Sequence, residues 1–217
     1  MVIEIAAVAA LLAGLLGVAD TVPYLRDTIR RSTVPHRSTW LIWSVIEVVA
    51  VQAHIADGAR WSLAPLIIQA LGTCLILGLS VRLGSGGLSR IDLALIALAG
   101  VGVAGWLAVD TPMVATVCVI AADLIAAVMM LPKIWRAPET ETLSTFVLAA
   151  VGGALTVGAV GSMSVALLVY PVYFFLVNAA LAGVIAYRRR LLGHVRRTRS
   201  AVPALALVPA TLEAGLE

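Results

Sequence analysis

The sequence predicts an all-α integral membrane protein: seven transmembrane helices in two parallel three-helix repeats joined by a single helix, N-terminus outside and C-terminus inside. Three observations carry that prediction. Of 217 residues, 61% are hydrophobic and only 12% charged, with a mean hydropathy of +1.04, whereas a soluble domain carries about 25% charged residues. Apolar runs of the roughly 17 to 25 residues needed to cross a hydrocarbon core recur along the whole chain. All but one of the 15 Lys and Arg residues fall in alternate connections between those runs.

The first run spans 3–23. Residues 1–25 hold no Lys or Arg, whereas a secretory signal has a positive n-region and a small-residue cleavage site, so the run reads as a retained helix. Arg26, Arg30, Arg31 and Arg37 follow it. The second run, 38–56, opens behind "PHRSTWLIW" (35–43), where Ser38-Thr39 has the composition of an N-cap and His36 reads as a solvated loop histidine. The third, 62–81, ends at Arg82, and Arg90 precedes the fourth, 91–109. Lys133 and Arg136 follow the fifth, 112–131; after the sixth, 143–160, and the seventh, 164–187, come the arginines from Arg188 to Arg199. Only Arg60 sits in the opposite connections. Short loops rich in Lys and Arg stay in the cytoplasm, which gives the orientation.

The net charge of +3 therefore reports topology. No nucleic-acid-binding motif accompanies it, so the expected partners are the bilayer, including anionic headgroups near the arginine-rich tail, and a small-molecule substrate; homo-oligomerisation stays open. The excess of arginine over lysine and the abundance of alanine and valine point to a GC-rich bacterial genome, hence to a multi-pass protein of the inner membrane. Cys74 and Cys118 fall inside predicted helices and read as small packing residues. No P-loop, zinc spacing, dinucleotide turn or nucleophile elbow is present, so neither cofactor nor metal is expected.

The runs repeat. Pro65 to Arg82 and Pro171 to Arg188 are each 17 residues apart, and Ser38-Thr39 to Pro65 and Ser144-Thr145 to Pro171 are each 27 apart. Pro23 and Pro132 fit the same scheme once the loop after the fifth run is taken as three residues shorter. A three-helix unit starts outside and ends inside, so a second copy of the same orientation needs one extra crossing, which the fourth run supplies. The expected organisation is a first repeat over 1–86, a linker helix over 87–110, a second repeat over 111–190 and a basic tail over 191–217. Such repeats place solute sites at their interface near the bilayer midplane.

The proline closing the first helix of each repeat, with a basic loop and a Ser-Thr after it, resembles the PQ-loop proteins, which include the SWEET sugar transporters and the lysosomal amino-acid exporters. The likeness covers residues 1 to about 190. "PHRSTWLIW", "AADLIAAVMMLPKIWRAPETE" and "YPVYFFLVN" are similar to an uncharacterised bacterial branch of SWEET-like proteins. Where the family has Pro-Gln this chain has Pro23-Tyr24 and Pro132-Lys133, so the glutamine's gating role does not transfer. SWEET transporters bind sugar through an asparagine of the last helix, which by resemblance makes Asn178 a substrate-binding candidate; its repeat mate, however, is Gly72.

Glu47 and Asp123 lie near the middle of the second and fifth runs, with no Lys or Arg inside either run. A charge there costs about 2.5–3.5 kcal/mol on insertion scales, so these acids are either protonated or facing a wet cavity where a substrate or coupling ion supplies charge. They are the candidates for substrate binding and proton coupling. Trp40, Trp43 and Glu47 are spaced i, i+3, i+7 and share one helical stripe. Trp40, close to the boundary, reads as an interfacial anchor, and Trp43 as anchor or substrate platform. Gln69 is a further binding candidate on the third run. Asp20 reads as a boundary residue reaching water or Arg26. Gly14, Gly17 and Gly152-Gly153 suggest close helix approach, and Pro23, Pro65, Pro132 and Pro171 suggest hinges.

Two functions follow. One is a secondary transporter or facilitator of a small polar solute, working by alternating access with proton coupling through Glu47 or Asp123. The other is a membrane-embedded enzyme resembling the seven-helix terpene cyclases, with Glu47 and Asp123 as acids. The two differ in what they need of the cavity: a cyclase requires a dry, aromatic-lined pocket open to lipid.

Overall fold

The computed structural model describes residues 8, 11–12, 14–17, 19–56, 63–87, 89–108, 111–159 and 165–201. Among these every extended element is a helix: α1 (Thr21–Ile29), α2 (Arg37–Ala56), α3 (Leu63–Leu83), α4 (Arg90–Ala108), α5 (Pro112–Arg136), a 3-10 turn (Pro138–Thr140), α6 (Leu143–Ala159) and α7 (Val165–Ala201). Described residues between 8 and 19 are helical as well, and the Asp20 N–H bonds the Leu16 carbonyl at 2.9 Å. The first predicted run therefore leads into α1 through Asp20, whose backbone stays in the α region (φ −66°, ψ −31°) while the hydrogen-bond ladder is interrupted there. Pro23 explains the interruption, because its nitrogen carries no hydrogen for the carbonyl four residues back and its ring crowds that carbonyl.

Local chemistry sets the ends. Ser89 and Asp92 exchange hydrogen bonds at the start of α4, Asp92 Oδ2 accepting from the Ser89 N–H (3.1 Å) and the Asp92 N–H donating to Ser89 Oγ (3.1 Å), a capping box built on aspartate. Thr111 is extended and Pro112 opens α5, where a missing N–H costs nothing. Ser38-Thr39 does not cap α2: both lie inside its first turn, and Thr39 Oγ1 donates instead to the Ala126 carbonyl of α5 (2.7 Å). Pro23 and Pro132 do not close their helices either, since α1 runs on to Ile29 and α5 to Arg136. Residues 191–201, expected as tail, continue α7; the rest of the tail lies outside the described residues, as do the side chains of His54 and Pro65.

Three helices are long and apolar enough to cross a membrane: Arg90–Ala108, Met113–Arg136 and Leu167–Gly193; Ile67–Leu83 and Leu143–Gly158 are apolar but shorter. Ile91, Val101, Leu107 and Val165 stand exposed on the outer surface, an apolar exterior that suits lipid. The chain is thus an all-helical membrane protein at this level of description.

The packing has a regular pattern. α3 packs on both α1 and α2, and α7 on both α5 and α6, whereas among the described residues neither α1 and α2 nor α5 and α6 bring their backbones close, α1 and α2 touching only through side chains such as Tyr24 and Trp40. Between the triplets α2 meets α5 and α1 meets α6, and α4 lies against α5 and α2. Close approach is concentrated at a few glycines. A Cβ on Gly72 would come 2.5 Å from Thr21 Cγ2, and one on Gly153 2.9 Å from the Phe175 nitrogen. Gly102 and Gly105 let α4 settle on Cys118 of α5, so that cysteine packs, as expected. Gly14 and Gly17 do not act this way, because no described atom lies within 4 Å of a Cβ there.

Tyr24, Trp40, Ile76, Met130, Ile134, Phe146, Leu181 and Ile185 form the core at the arginine-rich end, and Ile42, Ile46, Ala99, Ala122 and Met129 join α2, α4 and α5 nearer the middle. At about 25 cal/mol per Å² of apolar area removed from water, burial of such a cluster stabilises this end of the bundle, and in lipid its close packing does the same.

Candidate functional site

The α2 stripe carries Trp40, Trp43 and Glu47 inward, and the helices packed on it leave two adjoining cavities. The inner one, about 70 Å³, is lined by Trp43, Glu47, Gln69, Asp123, Thr145 and Asn178 among others. The outer one, about 580 Å³, runs between the opposite ends of the helices past Trp106, Thr116, Thr156 and Pro171. Asp20, Ile46, Glu47, Gln69, Ala149, Tyr170 and Phe174 line both and form the layer between them. All five residues expected to bind substrate therefore come from α2, α3, α5 and α7 to one cavity, and both acids named for proton coupling are among them. Of the four prolines, Pro171 borders the outer chamber.

Each polar lining residue has a defined setting. Asp123 is 8% exposed and accepts a hydrogen bond from the Tyr173 hydroxyl (2.6 Å). Trp43 turns its indole N–H toward Asp123 without reaching hydrogen-bond geometry, and that nitrogen has no partner. Asn178 donates its amide to the Phe174 carbonyl one turn back (2.9 Å), so half of its side chain is committed to its own helix. Its repeat mate is glycine for a steric reason, since the Thr21 side chain occupies the place a Cβ on Gly72 would take.

Asp20 is not a boundary residue. It is 5% exposed, accepts from Thr21 Oγ1 (3.0 Å) and lines both cavities. The signal available in the sequence was its position three residues before Pro23, whose missing N–H interrupts the hydrogen-bond ladder there.

Trp40 is not an interfacial anchor. It is 4% exposed, its ring lies 4.6 Å from Tyr24 and 5.2 Å from Trp43, and its indole N–H donates to the Tyr24 hydroxyl (3.1 Å). It belongs to a buried knot that closes the inner cavity at the arginine-rich end. Tyr24 donates to Glu141 Oε2 (3.0 Å), Lys133 forms an ion pair with Glu141 Oε1, and Arg189 donates to the Glu141 and Pro138 carbonyls. Burial pushes the Glu141 carboxyl above its ordinary range, while Lys133 and Tyr24 pull it back. Tyr24 and Lys133 each follow one of the prolines that the sequence spacing pairs, Pro23 and Pro132, and both reach the Glu141 carboxylate. Nothing in the spacing pointed to Glu141, which reads as one of two acids in a polar loop.

His36 is not solvated: it is 6% exposed, and its ring Nδ1 lies 3.1 Å from Thr39 Oγ1. Burial, its first cause, holds it below its ordinary value of 6.5, with Lys133 adding to the shift and Asp92 opposing it. Arg37 beside it fastens the end of α3 by donating to the Ser80 carbonyl (3.0 Å).

The fold and the cavity define a helical membrane protein with acids, amides and aromatic rings around an internal chamber. No family model, no curated protein and no solved structure matches this chain.

Proposed function

We propose that the chain is a secondary transporter or facilitator of a small polar solute in the inner membrane of a bacterium, resembling the SWEET-like PQ-loop proteins. In this reading the seven helical runs all cross the bilayer, the triplets α1–α3 and α5–α7 are parallel repeats, α4 is the linker, and the arginine-rich end faces the cytoplasm. The packing pattern supports the repeats: in each triplet the third helix lies against the first two, and α1 meets α6 as α5 meets α2, as a pseudo-two-fold axis along the membrane normal requires.

The observation that carries the function is the asymmetry of the cavity. Its acidic layer opens into the larger chamber on one side and is shut on the other by the Trp40, Tyr24, Glu141 and Lys133 knot. That is the form of one of the two states alternating access needs. The knot joins the two triplets, so rocking one against the other would open it. Protonation of Glu47 or Asp123 couples that motion to the proton gradient. Against the cyclase reading stands the lining itself, with carboxyls, amides and hydroxyls where a cyclase wants a dry aromatic wall.

Cysteine accessibility in oriented proteoliposomes tests the proposal. In a Cys74→Ser, Cys118→Ser background, Ala149→Cys should react with an impermeant maleimide from the face opposite the arginines, and Glu141→Gln should add reaction from the arginine-rich face. Reaction from neither face, or an unchanged pattern in Glu141→Gln, would remove the basis for alternating access.

A further inference from the structure

We propose that the layer of Asp20, Glu47 and Asp123 binds a small organic ammonium ion bearing a hydroxyl, in exchange for a proton; this rests on the transport reading and names its substrate class. The three carboxyls reach one cavity from the entry of α1, from α2 and from α5, and no Lys, Arg or His stands among the described lining residues. They do not converge on a point, since among the described residues no group of three His, Cys, Asp or Glu side chains could hold a metal ion. Spread carboxylates suit a cation wider than a metal ion. Trp43, Tyr170 and Phe174 line the same cavity, and aromatic faces attract an ammonium through their quadrupole.

The hydroxyl follows from a second, independent observation. Thr145 is 6% exposed, borders the inner chamber, and its Oγ1 has no hydrogen-bond partner, whereas the Trp43 indole N–H is turned toward Asp123. A buried polar group left unpaired is costly, and both residues line the inner chamber and not the outer one. An oxygen two carbons from the ammonium would pair with Thr145 Oγ1 while the charged head stays in the acidic layer.

Proton exchange follows from electrostatics. Three carboxyls in one low-dielectric layer cannot all be ionised without a cation, and Glu47 is coupled to both Asp20 and Asp123. The other titratable groups facing them are Tyr170 and Tyr173 of α7, the latter donating its hydroxyl to Asp123; α3, α4 and α6 present none among the described residues. A bound ammonium and a proton thus compete for the same negative charge: the cation enters, one carboxyl proton leaves, and the charge of the layer is unchanged.

The test is calorimetric titration of the full chain in lipid nanodiscs with choline, tetramethylammonium and 3,3-dimethylbutan-1-ol, the uncharged carbon isostere of choline. Buffers of different ionisation enthalpy count the protons released. Choline should bind at pH 8.5 with release of about one proton and about tenfold or more weakly at pH 5.5, and the isostere should bind far more weakly than choline. Glu47→Gln should lose the pH dependence and Glu47→Asp should keep it, while Thr145→Val should weaken choline more than tetramethylammonium. Equal affinity for choline and its isostere, pH-independent binding, or no binding of either cation would overturn the proposal. If neither cation binds while a neutral sugar or amino acid raises thermal stability, the ammonium assignment falls and the transport reading stands; loss of the two-sided cysteine labelling would instead remove the transport reading.

Discussion

Replacing Tyr24 by phenylalanine removes one oxygen from the knot and leaves the ring that packs 4.6 Å from Trp40. That oxygen accepts from the Trp40 indole (3.1 Å) and donates to Glu141 (3.0 Å), and both partners are buried. Each orphaned buried group costs about 1–3 kcal/mol; Glu141 keeps Lys133, so the sum should lie near 2–4 kcal/mol. The loss falls on the state with the arginine-rich end shut, so at tenfold per 1.4 kcal/mol the opening equilibrium should shift by about 30-fold or more. Reversible unfolding of the full chain in mixed micelles reads the stability term, and a double-mutant cycle with Trp40→Phe reads the pair, which should couple by about 0.5–3 kcal/mol. A Tyr24→Phe variant within about 0.5 kcal/mol of wild type, with additive effects in the cycle, would refute the reasoning.

Gly72→Ala should destabilise the protein by about 1–3 kcal/mol through overpacking, because the new Cβ meets the Thr21 methyl 2.5 Å away; Thr21→Ser, which deletes that methyl, should recover part of the loss in the same unfolding assay. His36 is held neutral by burial below its ordinary 6.5, so its contribution to stability is present above pH 6.5 and is lost as pH falls through the depressed value; His36→Asn should flatten this acid limb. Lys133→Met leaves Glu141 buried without its cation and should cost about 3–5 kcal/mol near neutral pH. Because burial raises the Glu141 carboxyl, that cost should shrink at low pH, where the acid is protonated, and grow as pH rises through the raised value.

The sequence carried the helical, apolar character well because apolar length is a property of the run itself, independent of which neighbour it meets; three of the runs form helices long enough to cross a membrane. Glu47 and Asp123 were legible for the same reason, as acids stranded in the middle of apolar runs. Asp20 was missed because its run had to be given an end, and Pro23 looked like that end; in the structure the chain continues helically through Asp20 into α1, and the carboxyl lines the cavity. Trp40 and His36 were misread as boundary groups because depth along a helix says nothing of what packs beside it, and the partners that bury Trp40 are Tyr24 on another helix and Trp43 one turn on. Glu141 was invisible, since its role depends on Tyr24, Lys133 and Arg189, separated from it by up to 117 residues, meeting at one point. The spacing did contain a hint: Pro23-Tyr24 and Pro132-Lys133 occupy positions that the expected repeats would match, and Tyr24 and Lys133 both reach Glu141.

Closure of the arginine-rich end by a knot joining the two triplets is the claim on which the transport reading depends, and a distance across that end tests it most directly. Spin labels at Ile29→Cys and Arg136→Cys, both exposed positions, in a Cys74→Ser, Cys118→Ser background in nanodiscs, report the separation of the triplets by double electron–electron resonance. The account predicts a single short distance in the otherwise unchanged chain and a second, longer population when Glu141→Gln is added. The same single distance in both proteins, with Glu141→Gln folded normally, would contradict it.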